Sequence, residues 1–307
     1  MTGDRKFSDG VTRRRFLTGL GVAAGAAGWL GRYLDGTVGF DDPLAGVSIG
    51  PSPSPALLGT GSFSTSISDA TGLAPRLPAW VGSPDDLLAV WSGFAPGRVD
   101  PAALTGRVQG AIDATTSARH ELDRMLGEGR DHAPSPGRAG ASRGGAYPGG
   151  AVELLTLAGE LAAAPDAPRV VYVNGLGDFD THQGLQQRHP ALLGAVDDGF
   201  AVLLGAVERA GRADDVLVMT VAEFGRRPAE NGGGTDHGTA APHFLVGPVV
   251  RGGRYGEPPT LPKLDGIGNL AVPVDFRRRY ATALRWLGVE PEAVLGVDAT
   301  PIPALAR

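Results

Sequence analysis

Three short segments in the second half of the chain combine carboxylate and imidazole side chains at close spacing. Because the sequence contains no cysteine, carboxylate and imidazole are the metal-ligand types that it offers. Such groups suit Zn²⁺, Mg²⁺, Mn²⁺ or Ca²⁺, and one imidazole per ion with several oxygens would favour an ion harder than zinc. A bound ion would polarise an ester oxygen and lower the pKa of water. The sequence therefore predicts a divalent-metal site with ligands drawn from Asp178, Asp180, His182, Glu223, Asp236 and His237.

Each of these residues also has a simpler interpretation. The triplet from Asp180 to His182 suits an Asx-turn with a surface histidine. Glu223 suits the first turn of a helix, and Asp236 suits a cap. Arg226 is interpreted as a bidentate donor to a phosphoryl or sulfuryl oxygen, although such arginines are more often surface charges. The other histidines are interpreted as structural or solvent-exposed, namely His120, His132, His189 and His243.

The elements around these segments predict an α/β fold. Continuous apolar runs predict two buried strands and a short third one, at 169–174, 215–222 and 243–246. Helical periodicity predicts three helices, at 151–164, 192–210 and 276–287. In the last two helices, Leu193 and Phe276 belong to the stripes expected to face inward. The alternation favours a mainly parallel sheet sandwiched by helices, with the ligand site beyond the carboxyl ends of its strands. We therefore expect the three polar segments to converge.

The first half of the chain is less regular. The segment from Phe40 to Gly82 is rich in proline, glycine and serine, which predicts irregular chain that cannot add a strand to the sheet. Ser83 followed by Pro84 predicts the start of a helix. Helical spacing continues from Leu104 to Leu126, and a Gly/Pro-rich linker is predicted over 127–150.

The N-terminus carries a targeting pattern. Arg13 and Arg14 precede a Gly/Ala-rich apolar stretch that reaches Leu30, which is too short and too weakly apolar for a stable membrane span. This pattern predicts a twin-arginine signal over 1–30, the twin-arginine export machinery as a partner, and a periplasmic or extracellular location. A retained amphipathic anchor helix is the alternative. A net charge of −5 without a basic stripe gives no indication of a nucleic-acid partner.

Several motifs resemble a known family when they are taken in order and spacing. The segments GLGDFDTH, VAEFGRRP, GGGTDHG and VPVDFRRRYATALRWLG, together with WLGRYLDG near the start, are similar to the bacterial "domain of unknown function 1501" family. The resemblance covers the chain from Trp29 to Gly296. It implies an exported protein of the alkaline phosphatase and sulfatase superfamily, with an α/β/α sandwich and a hydrolase site that holds two metal ions.

The resemblance also implies roles for individual residues. Asp180 with His182 resembles one ligand pair, whereas Asp178 with His182 has the spacing of the wider superfamily and competes with it. Glu223 stands where the superfamily usually has an Asp-His pair. His237, together with Asp236, resembles the last histidine ligand.

One departure from the family pattern affects the expected fold. In the family, a stretch with the first strand and a Gly-Gly-x-Asp-Gly type motif precedes the segment that resembles WLGRYLDG. Here the apolar run of the signal joins that segment directly. We therefore expect the first-strand region to be missing, which would leave an unpaired sheet edge and a poorly soluble or oligomeric protein without phosphatase or sulfatase turnover.

The sequence thus predicts a signal segment at 1–30, an irregular and helical portion at 31–150, and an α/β core at 151–307. The functional hypothesis is an exported metal-dependent hydrolase-like protein that acts on phosphate or sulfate esters. The alternative is a non-catalytic exported binding or surface protein on the same scaffold.

Overall fold

The computed structural model describes residues 27–68, 81–93, 104–127 and 150–305. The predicted signal lies almost wholly outside the described residues, and so does the predicted linker after residue 127. The chain divides into two compact units. Of the described residues, the first unit contains 27–68, 81–93, 104–127 and 164–174. The second unit contains 150–163 and 175–305.

The first unit contains a three-stranded parallel sheet. A helix, α1 (Trp29–Thr37), precedes it, and the strands are β1 (Gly46–Ile49), β2 (Thr65–Ile67) and β3 (Val170–Val173). The strand order is β2-β1-β3, with β1 in the centre. All four residues of β1 are buried, as expected for a central parallel strand that is covered on both faces.

Both β1 and β2 lie in the segment that was predicted to be irregular and unable to pair. That prediction was wrong, because no proline of the segment lies within either strand. Pro51, Pro53 and Pro55 lie in the connection, where Pro55–Leu57 forms a short 3-10 helix, and neither strand contains a proline. The backbone donors of the strands therefore remain available for the ladder.

Two helices complete the described part of the first unit. They are α2 (Pro84–Ser92) and α3 (Leu104–Leu126), which pack against each other. The predicted start of α2 is confirmed, since the Ser83 hydroxyl accepts a hydrogen bond from the backbone N–H of Asp86 at 3.1 Å. The predicted span of α3 is confirmed as well.

In the second unit, two helices pack closely through glycine. They are α4 (Gly150–Ala163) and α5 (Leu185–Arg209). A Cβ atom on Gly159 would lie 2.9 Å from the Cα atom of Leu203, so the close approach of the helix backbones requires glycine there. Among the described residues, α5 is the one helix whose length and composition would allow it to cross a membrane. It begins seven residues before the predicted start, and Leu193, which was expected to face inward, is 48% exposed.

The strands of the second unit pair differently from the prediction. They are β4 (Val218–Met219), β5 (Gly225–Glu230), β6 (Thr235–Gly238) and β7 (Leu245–Val246). β4 pairs antiparallel with β7, and β5 pairs antiparallel with β6. The predicted single parallel sheet through 169–174, 215–222 and 243–246 is therefore wrong for the described residues. The apolar run at 215–222 forms a strand of only two residues, β4. The β5–β6 hairpin forms from a polar segment in which the hydrophobic pattern predicted no strand.

Two helices close the second unit, α6 (Phe276–Trp286) and α7 (Pro291–Leu295). Leu284 is fully buried, as the helical stripe predicts. Phe276 was expected to face inward but is 55% exposed. The buried Thr282 hydroxyl accepts from the backbone N–H of Ile302 at 2.8 Å, which fixes the C-terminal segment to α6.

Candidate metal centre

The loop before α5 presents two polar side chains to solvent on either side of a buried residue. Thr181 is fully buried, whereas Asp180 and His182 are exposed. The backbone N–H of Thr181 donates to the carbonyl of Phe179 at 2.8 Å, and that of His182 donates to the carbonyl of Asp180 at 3.1 Å. These tight turns give the loop a defined shape, so Asp180 and His182 project together.

The β5–β6 hairpin supplies the second histidine. In its register Arg226 lies opposite His237. Side chains of directly opposed residues share a face of an antiparallel pair, so these two residues become neighbours despite their separation in sequence. The turn uses Gly232 and Gly233, both at positive φ, and the N–H of Asn231 donates to the carbonyl of Gly234 at 2.8 Å.

Gly234 brings the hairpin turn against the loop. A Cβ atom on Gly234 would lie 2.3 Å from the carbonyl oxygen of Thr181 and 2.4 Å from that of His182. The N–H of Leu185 also donates to the carbonyl of Gly233 at 3.0 Å. This backbone contact between the hairpin turn and the loop places His237 next to His182.

One carboxylate oxygen, Oδ1 of Asp180, is the focus of the cluster. His237 Nε2 lies 2.8 Å from it, His182 Nε2 3.1 Å and Arg226 Nη2 3.0 Å. The two Nε2 atoms are 3.2 Å apart. The side chains of Asp180, His182 and His237 are 45–49% exposed, so the cluster is open to solvent.

The donor set fits a divalent metal ion. Asp180, His182 and His237 each offer one ligand atom, and these atoms lie within 4.8 Å of one another. A tetrahedral Zn²⁺ ion with bonds of about 2.0–2.1 Å holds its ligand atoms roughly 3.3 Å apart. The observed separations of 2.8, 3.1 and 3.2 Å are close to that geometry and need only a slight opening.

The electrostatic surroundings keep Asp180 ionised. A hydrogen bond from His237 lowers the pKa of Asp180 below its usual value, and the charges of His182, His237 and Arg226 act in the same direction, while partial desolvation opposes them. Asp180 is therefore a carboxylate across the physiological range, which is the form that binds a metal ion.

Arg226 holds the cluster together through several protein acceptors. Besides Asp180, its guanidinium donates to the carbonyl of Phe179 at 2.8 Å and to the carbonyl of Thr235. The sequence interpretation made Arg226 a clamp for a substrate anion. Its contacts instead join the loop, the hairpin and the metal-ligand carboxylate, so an anion would have to compete with them.

Asp236 lies beside the cluster. Its Oδ1 is 3.7 Å from Nδ1 of His182 and accepts a hydrogen bond from the amide of Asn231 at 2.7 Å. It therefore faces the nitrogen of His182 that points away from Asp180. The separation is longer than a hydrogen bond, so Asp236 is a neighbour of His182 and not a hydrogen-bond partner.

Two of the predicted ligands are not brought into the cluster. Asp178 pairs with Arg188 at 2.6 Å, and Arg188 also donates to the backbone carbonyl of Asp178. Glu223 lines a neighbouring cleft. Within the part of the chain that the structure describes, Asp180, His182 and His237 are the single group of this kind, so a second metal position is not apparent there.

Two residues that contact the candidate site, Phe224 and Asn231, were not predicted from the sequence. The Phe224 ring stacks on the His237 ring at a centroid separation of 3.8 Å and an angle of 12°. Asn231 orients Asp236. Phe224 is the aromatic residue within the VAEFGRRP segment, and Asn231 directly precedes the glycine-rich turn, so their positions beside the candidate ligands were the available signals.

Comparison with known proteins gives one match. A family model described as "Protein of unknown function (DUF1501)" matches residues 102–298, a span that includes every residue of the cluster. The chain has no significant match among curated proteins or among solved structures.

Proposed function

The chain belongs to the DUF1501 family of proteins of unknown function, and on that premise we propose that it is an exported metal-dependent hydrolase of phosphate or sulfate esters. The proposed scaffold is of the alkaline-phosphatase type. The observation that carries the proposal is the convergence of Asp180, His182 and His237. Solvent exposure of all three side chains supports it, since a substrate could reach an ion held there.

The donor set favours zinc among the candidate ions. Two imidazoles and one carboxylate resemble the three-ligand sets of hydrolytic zinc sites, which keep a further position for water or substrate. Mg²⁺ and Ca²⁺ prefer sites made of oxygen ligands. The expectation of a harder ion applied to one imidazole per ion, and here two imidazoles share one site.

The residues of the chain have distinct tasks in this proposal. Asp180, His182 and His237 would hold the ion, and a bound ion would supply Lewis-acid polarisation of the ester and a lower pKa for water. Arg226 fixes the position of Asp180 and adds positive charge next to the site where an anionic ester would bind. Asp236 lies on the Nδ1 side of His182, and Phe224 covers one face of His237.

A second candidate function is a non-catalytic exported binding protein on the same scaffold. The specific observation in its favour is that Asp178 and Glu223 stand apart from the three-residue group, so the two-ion arrangement implied by the resemblance is incomplete among the described residues. A single ion at an exposed site could serve binding alone.

Metal analysis combined with turnover tests the proposal. We expect the purified protein to bind one equivalent of zinc by calorimetry and elemental analysis, and to hydrolyse 4-nitrophenyl phosphate or 4-nitrophenyl sulfate. Changing His182→Ala or His237→Ala should weaken zinc binding by more than the roughly ten- to hundredfold that loss of a ligand's supporting partner costs, since each change removes a ligand itself. Asp178→Asn and Glu223→Gln should retain zinc.

The matched control is His120→Ala, which removes an exposed histidine of the first unit. Zinc bound equally well by the His182, His237 and His120 variants would rule out this metal site. Stoichiometric zinc without hydrolysis of either ester would select the binding protein.

A further inference from the structure

A cleft of about 480 Å³ in the second unit adjoins the metal centre. Its volume lies within the range of small-molecule sites, which is about 300–1,000 Å³. The side chains that matter for a ligand are two charged groups, one imidazole and three aromatic rings. They are Glu223, Arg279, His243, Phe224, Phe276 and Tyr280.

The cleft and the metal centre share a wall. Phe224 lines the cleft, and the same ring stacks on His237 of the metal centre. The opposed pair Gly225 and Gly238 also lines the cleft, and it lies next to the opposed pair Arg226 and His237 in the hairpin register. A molecule in the cleft would therefore lie against the elements that hold the proposed ligands.

Arg279 gives the cleft an anchor for negative charge. It is half-buried, and its Nη1 donates to the carbonyl of Thr220 at 2.8 Å, which fixes the direction of the side chain. An arginine remains charged even where burial lowers its pKa. His243 is neutral at pH 7, since burial and the charge of Arg279 lower its pKa to about 4.

Glu223 is the opposing charge in the lining. Its side chain is exposed, so water screens it more strongly than it screens the half-buried Arg279. The cleft should thus attract an anion through Arg279, and Glu223 should reduce that attraction only in part.

The aromatic rings give the cleft an apolar side. Phe276 and Tyr280 make an edge contact with a centroid separation of 5.4 Å, and Phe276 remains 55% exposed although it begins α6. When the apolar body of a ligand covers an exposed ring, apolar area is removed from water, and this favours binding of the ligand.

We propose that the cleft binds a small organic anion with a planar apolar body, whose charged end pairs with Arg279 and whose body lies against Phe276 and Tyr280. The cleft is then the subsite for an organic group that carries an anionic end of its own, in an ester whose phosphoryl or sulfuryl group lies at the metal centre. That assignment as a substrate subsite rests on the proposed function, whereas binding of the anion does not.

Calorimetry on metal-free protein, prepared with a chelator and then dialysed, tests the binding with phenylphosphonate as the probe. We expect phenylphosphonate to bind more tightly than methylphosphonate by about tenfold, because the phenyl ring buries apolar area against the aromatic wall. Arg279→Gln should weaken phenylphosphonate binding by about tenfold, through loss of a charge-assisted interaction. Glu223→Gln should strengthen it.

The matched control is Arg285→Gln, on the same helix, whose guanidinium pairs with Glu290 at 2.6 Å. It should leave phenylphosphonate binding unchanged. Because Arg279→Gln also removes a contact to Thr220, Phe276→Ser provides a second variant at an exposed position that should fold. It should reduce the preference for phenylphosphonate over methylphosphonate, since Tyr280 remains in the wall.

Equal affinity of the wild type and of a folded Arg279→Gln variant would overturn the proposal, and so would an unchanged preference in Phe276→Ser. If the protein binds phenylphosphonate as described but binds no zinc, the proposed function is wrong and the anion site stands. The protein could instead bind zinc and hydrolyse esters while Arg279→Gln and Phe276→Ser leave its affinity for phenylphosphonate unchanged. In that case the anion site is wrong and the proposed function stands.

Discussion

At the scale of the residue, the metal centre is built around a single carboxylate oxygen that several side chains contact. Oδ1 of Asp180 faces two imidazoles and one guanidinium within 3.1 Å. A positively charged surrounding of this kind keeps the carboxylate ionised, and a divalent ion would take over the same attraction. Arg226 would keep its two backbone carbonyls as partners and could hold the loop and the hairpin in place when the ion binds.

His243 is a second residue whose chemistry depends on its surroundings. Its folded-state pKa is about 4, first because of burial and then because of the charge of Arg279. The unfolded chain has an imidazole pKa of about 6.5, so it binds more protons than the folded protein between these values. His243 should therefore make the folded state less stable as the pH falls from about 6.5 towards 4.

We expect the ring of His243 to titrate near pH 4 in NMR spectra. Arg279→Gln should raise this pKa, but to below 6.5, because burial is the larger cause. His243→Asn should reduce the loss of thermal stability between pH 6.5 and 4.5, whereas His120→Asn, at an exposed position, should not. A His243 ring that titrates at the unperturbed value would contradict this account.

At the scale of the element, Asp275 starts α6. Its Oδ1 accepts from the backbone N–H of Arg277 at 2.8 Å, and its carboxylate pairs with the Arg277 guanidinium. The side-chain and backbone hydrogen bonds from Arg277 lower the pKa of Asp275 to about 2. The ionised carboxylate of Asp275 therefore stabilises the folded state fully at pH values above its unfolded-state pKa of about 3.9. This stabilisation is lost as the pH falls through the folded-state pKa of about 2.

Asp275→Ala should lower the free energy of unfolding by about 1 kcal/mol at pH 7, which is typical for loss of a cap. Asp275→Asn is the matched control, since asparagine caps a helix but carries no charge. Denaturant unfolding of the three proteins at pH 7 should place the asparagine variant between the wild type and the alanine variant, because asparagine keeps the cap and loses the charge. A fully stable alanine variant would show that this cap contributes nothing.

Gly234 links two elements of the metal centre. Gly234→Ala would drive a methyl group into the backbone of Thr181 and His182, at 2.3–2.4 Å. Backbone atoms cannot move aside as a flexible side chain can, so the hairpin turn must shift away from the loop. We expect a loss of about 1–3 kcal/mol in stability, as for overpacking, together with weaker zinc binding.

The control for Gly234→Ala is Gly252→Ala. A Cβ atom there would meet nothing within 4 Å, and the backbone of Gly252 is not at positive φ. Chemical denaturation and zinc calorimetry on both variants measure the two effects. Unchanged zinc affinity in Gly234→Ala would mean that the docking of the turn is not needed for the site.

Helix boundaries were predictable where strong local signals exist. The Ser83 cap and the periodicity of Leu104–Leu126 gave α2 and α3, since capping and a helical stripe are both encoded locally. β1 and β2 have four and three residues in a proline-rich segment, and their pairing is set by packing rather than by periodicity.

The candidate site was predictable in its residue types but less so in its membership. Asp180, His182 and His237 were named because their side chains suit metal ligation, and they converge in the structure. Glu223 was grouped with them on the assumption of a parallel sheet edge. The β5–β6 hairpin follows a different rule, since cross-strand register sets Arg226 opposite His237.

At the scale of the whole molecule, an unpaired sheet edge was expected beside 169–174 or 215–222, on the assumption that the segment 40–82 could not supply a strand. That segment does supply strands, since β1 pairs with β3 over four residues and with β2 over three on its other side. Among the described residues, β3 nevertheless has β1 as its one neighbour and β4 has β7 as its one neighbour. Poor solubility or oligomerisation through such an edge therefore stays a prediction.

The predicted export concerns the whole chain, since a twin-arginine signal would carry the protein after it has folded. The motif is read as an arginine pair by a receptor, so Arg13→Lys together with Arg14→Lys keeps the charge and removes the recognised feature. We expect this double variant to remain in the cytoplasm as the full-length chain, measured by fractionation and immunoblotting. Arg15→Lys leaves the pair intact and should be exported like the wild type. Because folding precedes export, the retained double variant should bind zinc as well as the exported protein does. Equal export of the double variant and the wild type would refute the twin-arginine assignment and leave a different export route or a retained anchor as the alternatives.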